Sequence, residues 1–114
     1  MPRDARKILF DVLTSITAIE DFTTAKTIDD YRVNRMLRSA VEREYEIIGE
    51  AVRRLEVDFE DIFRRITDGR KMIDFRNLLI HGYDSVSDEI VWSIISNNLG
   101  ILKNEARALF EEFE

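Results

Sequence analysis

No cysteine occurs in the chain, which excludes disulfides and thiolate-held metals and leaves the compartment to other arguments. Proline occurs once and glycine four times, so the backbone has few places to turn sharply and long helices are favoured. The single histidine cannot supply the two Glu-x-x-His elements that a di-iron bundle needs. No glycine-rich phosphate loop is present. No apolar run approaches the roughly 18–20 residues that span a bilayer, and the opening MPRDARK leads into an amphipathic pattern in place of a signal-peptide core. A cytoplasmic location is expected. Positive charge is also short. The net charge of −6 argues against a broad electrostatic grip on nucleic acid, so any such contact has to be local.

What is present fits one domain over residues 1–114, within the size range of a single core. The 45% of hydrophobic residues can build that core, and the 35% of charged residues then cover the outside. Ile8, Leu9, Val12, Leu13, Ile16, Ile19 and Phe22 recur at helical spacing, with Pro2 and Asp4 placed to start a first helix ending near Phe22. After the polar connector TTAK, Thr27 and Asp30 have the spacing of a capping box. Met36, Leu37, Ala40, Val41, Ile47, Ile48, Ala51, Val52 and Leu55 then supply the stripe of a second helix of about seven or eight turns. Gly49 sits inside this helix at a cost of about 1 kcal/mol against alanine, and marks a close approach of another helix.

A short helix is expected from about Asp58 to Ile66, broken at Asp68 and Gly69. The next runs from about Arg70 to His81, with Gly82 just past its end, where left-handed backbone is easy. Ser85 and Asp88 again have capping-box spacing, and Ile90, Val91, Ile94, Ile95, Leu99, Leu102, Ala106, Leu109, Phe110 and Phe113 carry a last long helix. The fold class is all-α: an antiparallel bundle of four main helices plus a short one.

RNLLIHGY, residues 76 to 83, interrupts an otherwise buried-looking helix with polar groups. At about 100° per residue, Arg70, Asp74, Asn77 and His81 share one polar face, while Arg76 falls between the apolar Met72 and Ile80. A guanidinium cannot shed its proton and must keep partners if buried, so Arg76 suits a cleft or a subunit interface, from which it could swing toward His81. The chemistry open to the pair is cleavage of RNA phosphodiesters. Histidine titrates near neutral pH and can move the proton of a 2′-hydroxyl or of a leaving oxygen, while arginine grips phosphate bidentately. No metal is required. The same residues have a plain structural account: a histidine at a helix C-terminus caps carbonyls and complements the dipole, and Arg76 salt-bridges to an acidic neighbour. Spacing alone does not choose between them. Asp84, Asp88 and Glu89 near His81 read as a solvated helix start in preference to a metal site.

Arg76, four residues, His81, one residue, Tyr83 is the R-x4-H-x-Y signature, and in it the sequence resembles the HepT-like toxins of the HEPN superfamily. Asn77 directly after the arginine fits, and AVEREYEIIGEA, residues 40 to 51, is similar to the second-helix pattern of that family. The resemblance implies a HEPN bundle that homodimerises, with both copies of the motif in a cleft between subunits. It implies an endoribonuclease toxin that needs no cofactor or metal, with Arg76 and His81 catalytic and Asn77 supporting them. It also implies a partner, a minimal nucleotidyltransferase antitoxin that transfers AMP to the tyrosine matched by Tyr83. Glu50 is expected either to pair with Arg76 and orient it or to lie exposed on its helix. The alternative functional reading is a non-catalytic helical adaptor that binds the nucleotidyltransferase; a third is a purely structural homodimer.

Overall fold

The first apolar stripe folds as its spacing dictates: Ala5, Ile8, Leu9, Val12, Ile16 and Ile19 are all buried along helix α1, Arg3–Thr23. The computed structural model describes residues 3–112, so the expected roles of Pro2 and Phe113 lie outside the described residues. Seven α-helices and one 3-10 turn make up these residues, with no strand among them. The expected all-α bundle is the observed fold.

Helix α1 ends where the hydroxyls of Thr23 and Thr24 donate to the carbonyls of Ile19 and Glu20, at 2.8 and 2.7 Å. Ala25 then turns the chain with φ of 60°, a left-handed conformation that nothing in its residue type announces. The Thr27–Asp30 capping box is present, with Asp30 N donating to Thr27 Oγ1 at 3.2 Å and Thr27 N to Asp30 Oδ2 at 2.9 Å. The backbone amide and hydroxyl of Thr27 hold the Asp30 carboxyl below its ordinary range.

This box opens only the short α2, Ile28–Val33, and not the long second helix expected. The correction has a local cause. Asn34 leaves the helical region, and its side chain accepts from Leu37 N at 3.0 Å, starting α3, Arg35–Asp58, afresh. The break lets Tyr31 bury against Trp92, with ring centroids 5.6 Å apart.

Helix α3 is the centre of the bundle, packing against α1 on one side and α5, Gly69–His81, on the other. Leu37, Val41, Tyr45, Ile48, Val52 and Leu55 form its buried stripe. Tyr45 packs edge-on against Phe75 of α5 at 5.2 Å and donates to Val91 O at 3.3 Å, and burial pushes its phenol pKa well above the ordinary value. The short helix expected over residues 58–66 is one turn, α4, Glu60–Phe63, with Ile62 and Ile66 buried beneath the loop.

The last expected helix is divided at Asn98 into α6, Asp88–Asn97, and α7, Leu99–Glu112. Asn98 Nδ2 donates to Asp68 Oδ2 at 3.1 Å, tying the break to the start of α5. Helix α6 is capped by Ser87, whose hydroxyl accepts from Ile90 N at 3.2 Å, and not by Ser85, which lies in the 3-10 turn Tyr83–Ser85. Helix α7 packs on α1, so the layers run α5, α3, α1, α7.

The contact that seats α5 is at Gly49. A Cβ built there would fall on Arg76 Cβ, 2.8 Å from Arg76 Cγ and 2.9 Å from Met72 O. Only a residue without a side chain lets the two backbones come this close. In an exposed helix, glycine to alanine gains about 1 kcal/mol from propensity; here the overlap involves backbone and the root of a side chain, which cannot swing away. Gly49→Ala is therefore expected to destabilise the protein by roughly 1–3 kcal/mol, the cost of overpacking a closed core. Urea denaturation checks it, and a raised midpoint would show that the helices are not in close register at this point.

Candidate active site

The close approach at Gly49 places Arg76 against α3 and leaves its guanidinium at the mouth of a cleft. The side chain is 25% exposed, and Nη2 lies 3.3 Å from Oε2 of Glu50, itself 48% exposed. Nη1 donates to Asn77 Oδ1 at 3.1 Å. The Nε atom is buried and without a hydrogen-bond partner. Glu50 and Asn77 thus fix the plane of the fork from two sides. Because the ion pair is half open to water, its contribution to stability is modest, on the order of 1 kcal/mol or less, and its larger effect is on direction.

The cleft measures about 220 Å³ and is lined by Asp11 of α1, by Arg43, Glu46, Ile47, Glu50, Ala51 and Arg54 of α3, and by Arg76 and Ile80 of α5. Arg54 was not among the residues singled out from the sequence, and Arg43 entered only as the arginine of the AVEREYEIIGEA resemblance. Their signal was faint: Arg43, Ile47, Glu50 and Arg54 recur at helical spacing along one face of α3, which by itself describes any solvated helix surface.

The structure does not bring all the motif residues together within the chain. The Arg76 side chain, expected to be able to swing toward His81, is turned instead toward α3 and Glu50. His81 ends α5, exposed, outside the cleft lining, and no hydrogen bond or ion pair engages its imidazole among the described residues. Gly82 follows the helix as expected, with φ of −138° and ψ of 40°, so it does not use the left-handed backbone open to it; its amide closes the helix by donating to Leu78 O at 2.8 Å. Tyr83 follows in the 3-10 turn with 74% of its surface exposed.

The carboxylates beyond it are the start of α6. Glu89 pairs with Arg32 at 2.5 Å, and a backbone hydrogen bond together with that guanidinium holds its carboxyl below the ordinary range. Among the described residues no group of three or more histidines, aspartates and glutamates is arranged to hold a metal ion. No helix among them is long and apolar enough to cross a membrane.

Comparison with known proteins adds an independent finding. Residues 12–109 match the family model described as Ribonuclease HepT-like. The chain is 34% identical over 103 residues to "Putative RNase MJ1380" of Methanocaldococcus jannaschii, covering 90% of this chain and 94% of that protein. It is 31% identical over 109 residues to "Probable ribonuclease HepT" of Thermococcus cleftensis, covering 96% and 98%. A third relative, "Gamma-glutamylcyclotransferase and putative RNase MJ0434" of Methanocaldococcus jannaschii, is 32% identical over all of this chain, which spans about half, 51%, of that protein's length. No solved structure matches the chain.

Proposed function

The chain belongs to the Ribonuclease HepT-like family, and from that premise we propose that it is the endoribonuclease toxin of a toxin–antitoxin pair, with Arg76 and His81 as its catalytic residues. The observation that supports this most is the state of Arg76, a permanently charged fork held by Glu50 and Asn77 at the edge of a cleft, one and a half turns from an open histidine on the same helix.

The reaction that suits this pair needs neither metal nor cofactor. The 2′-oxygen of one ribose attacks the adjacent phosphorus, and the bond from phosphorus to the 5′-oxygen of the next nucleotide breaks. A 2′,3′-cyclic phosphate and a 5′-hydroxyl result. One proton leaves the 2′-hydroxyl and one reaches the departing oxygen; neutral His81 can accept the first and protonated His81 can give the second. Arg76 binds the phosphate oxygens through two parallel N–H donors and stabilises the charge that grows on them as the 2′-oxygen adds. Glu50 acts as a positioning residue for that fork.

A homodimer completes the arrangement, because within one subunit His81 stands outside the Arg76 cleft. Ile80, 39% exposed beside Arg76, gives α5 an apolar contact for a second copy. The antitoxin partner in this reading is a minimal nucleotidyltransferase. The exposed Tyr83 phenol oxygen attacks the α-phosphorus of ATP, pyrophosphate leaves, the phenolic proton is released, and the tyrosine carries AMP through a new phosphodiester. Its added phosphate then competes for Arg76 while the nucleoside obstructs the cleft.

Three outcomes are expected. In cleavage assays with chelator present, His81→Ala loses activity while fold and oligomeric state persist, since an exposed side chain leaves no cavity. Arg76→Lys does not restore wild-type cleavage, because lysine lacks the planar fork. Loss of folding in His81→Ala, or full activity in Arg76→Lys, would contradict the assignment. For Tyr83, mass spectrometry after incubation with the cognate transferase and ATP should find AMP on that residue and cleavage suppressed, with Tyr83→Phe still cutting RNA but escaping control. A modified protein that cuts at its original rate would contradict the regulation.

A further inference from the structure

The charges lining the cleft do not all cancel one another. Glu50 is engaged by Arg76 at 3.3 Å, Glu46 by Arg43 at 3.6 Å, and Asp11 by Lys7 at 2.5 Å. Arg54 stands one turn beyond Glu50 on the same face of α3, lines the same cleft as Arg76, and makes no ion pair or hydrogen bond among the described residues. Glu50, four residues before it on the helix, is engaged by Arg76. Among the described residues Arg54 is the cation of this lining left open to an incoming anion, in a protein whose net charge of −6 offers no general attraction to one.

Resting on the ribonuclease reading above, we propose that Arg54 holds a second phosphate of the RNA strand, next to the one cleaved at Arg76, and that the substrate enters the cleft single-stranded. Two guanidinium forks lining one cleft can each hold a phosphate of the same single strand. An A-form duplex, by contrast, spreads its contacts over a wide surface, which is acidic overall here. Arg54 would thereby set substrate class and register, leaving the chemistry to the α5 residues.

The test uses full-length protein and a short fluorescent single-stranded RNA whose 2′-hydroxyls are methylated, so that it binds without being cut. Binding is titrated by anisotropy over a range of salt concentrations for wild type, Arg54→Gln and Arg54→Lys. Arg53→Gln is the control, carrying the same charge change on an exposed neighbour that does not line the cleft. Arg54→Gln should weaken binding roughly tenfold, as expected for a charge-assisted contact. It should also flatten the log–log salt slope by about 0.7, the value for one phosphate contact on a single strand. Arg54→Lys should fall between it and wild type, and Arg53→Gln should match wild type.

Equal effects of Arg53→Gln and Arg54→Gln, or no effect of either, would overturn the proposal. Cleavage of the unmethylated strand by wild type is read in parallel. Protein that binds through Arg54 without cutting keeps this inference and removes the ribonuclease reading. Protein that cuts while Arg54→Gln binds normally removes this inference alone, and protein that neither binds nor cuts removes both.

Discussion

The structure depends on one close approach, the backbone of Gly49 in α3 against the root of the Arg76 side chain in α5. It decides how near the motif helix lies to the centre of the bundle. With the helices this close, the Arg76 side chain lies against α3 with its Nε buried, and Glu50, the residue after the glycine, receives its fork. The apolar residues of α5 then fill what remains, with Phe75 edge-on against Tyr45 and Met72, Ile73 and Leu79 buried. One glycine thus links core packing to the direction of the side chain proposed to be catalytic. This is why a stretch that reads like buried helix can also carry a site.

The second consequence is electrostatic. An acidic protein that handles RNA has to confine its positive potential, and the cleft does so by pairing Arg43 and Arg76 with glutamates of α3 and leaving Arg54 open. In the proposed mechanism the Arg76 fork exchanges its pairing with Glu50 for charge-assisted hydrogen bonds to phosphate. Such an exchange favours a ligand that supplies several phosphates at once over a lone anion. It also limits capture of generic polyanions, because a net charge of −6 gives no general attraction to them.

How much of this was legible in the sequence varies with the physics behind each element. The stripes of α1 and α3 were readable because burial of one helix face imposes a period that chance rarely sustains over five or six turns. Gly49 announced a close approach without naming its partner. The breaks at Asn34 and Asn98 were hidden, because apolar spacing continues through both and the interruption is made locally, by an asparagine side chain capping Leu37 in one case and reaching Asp68 in the other. Ser87 displaced Ser85 as the cap of α6 because residues 83–85 are taken up in the turn. Of the site, the R-x4-H-x-Y pattern came from family resemblance, since spacing alone could not separate catalysis from helix capping. Arg54 was invisible for a different reason: an arginine on an exposed helical face acquires meaning only when a neighbouring helix turns that face into the wall of a cleft.

The central claim is that the arginine and histidine of α5 cleave RNA by attack of its own 2′-oxygen. The most direct measurement is the chemistry of the ends produced when purified protein, with chelator present, is given a defined single-stranded RNA and the fragments are analysed by mass spectrometry. The account predicts 2′,3′-cyclic phosphate and 5′-hydroxyl ends, and no cut at a position where the 2′-hydroxyl is replaced by hydrogen. Fragments bearing 5′-phosphates, or cleavage that persists at the deoxy position, would contradict it.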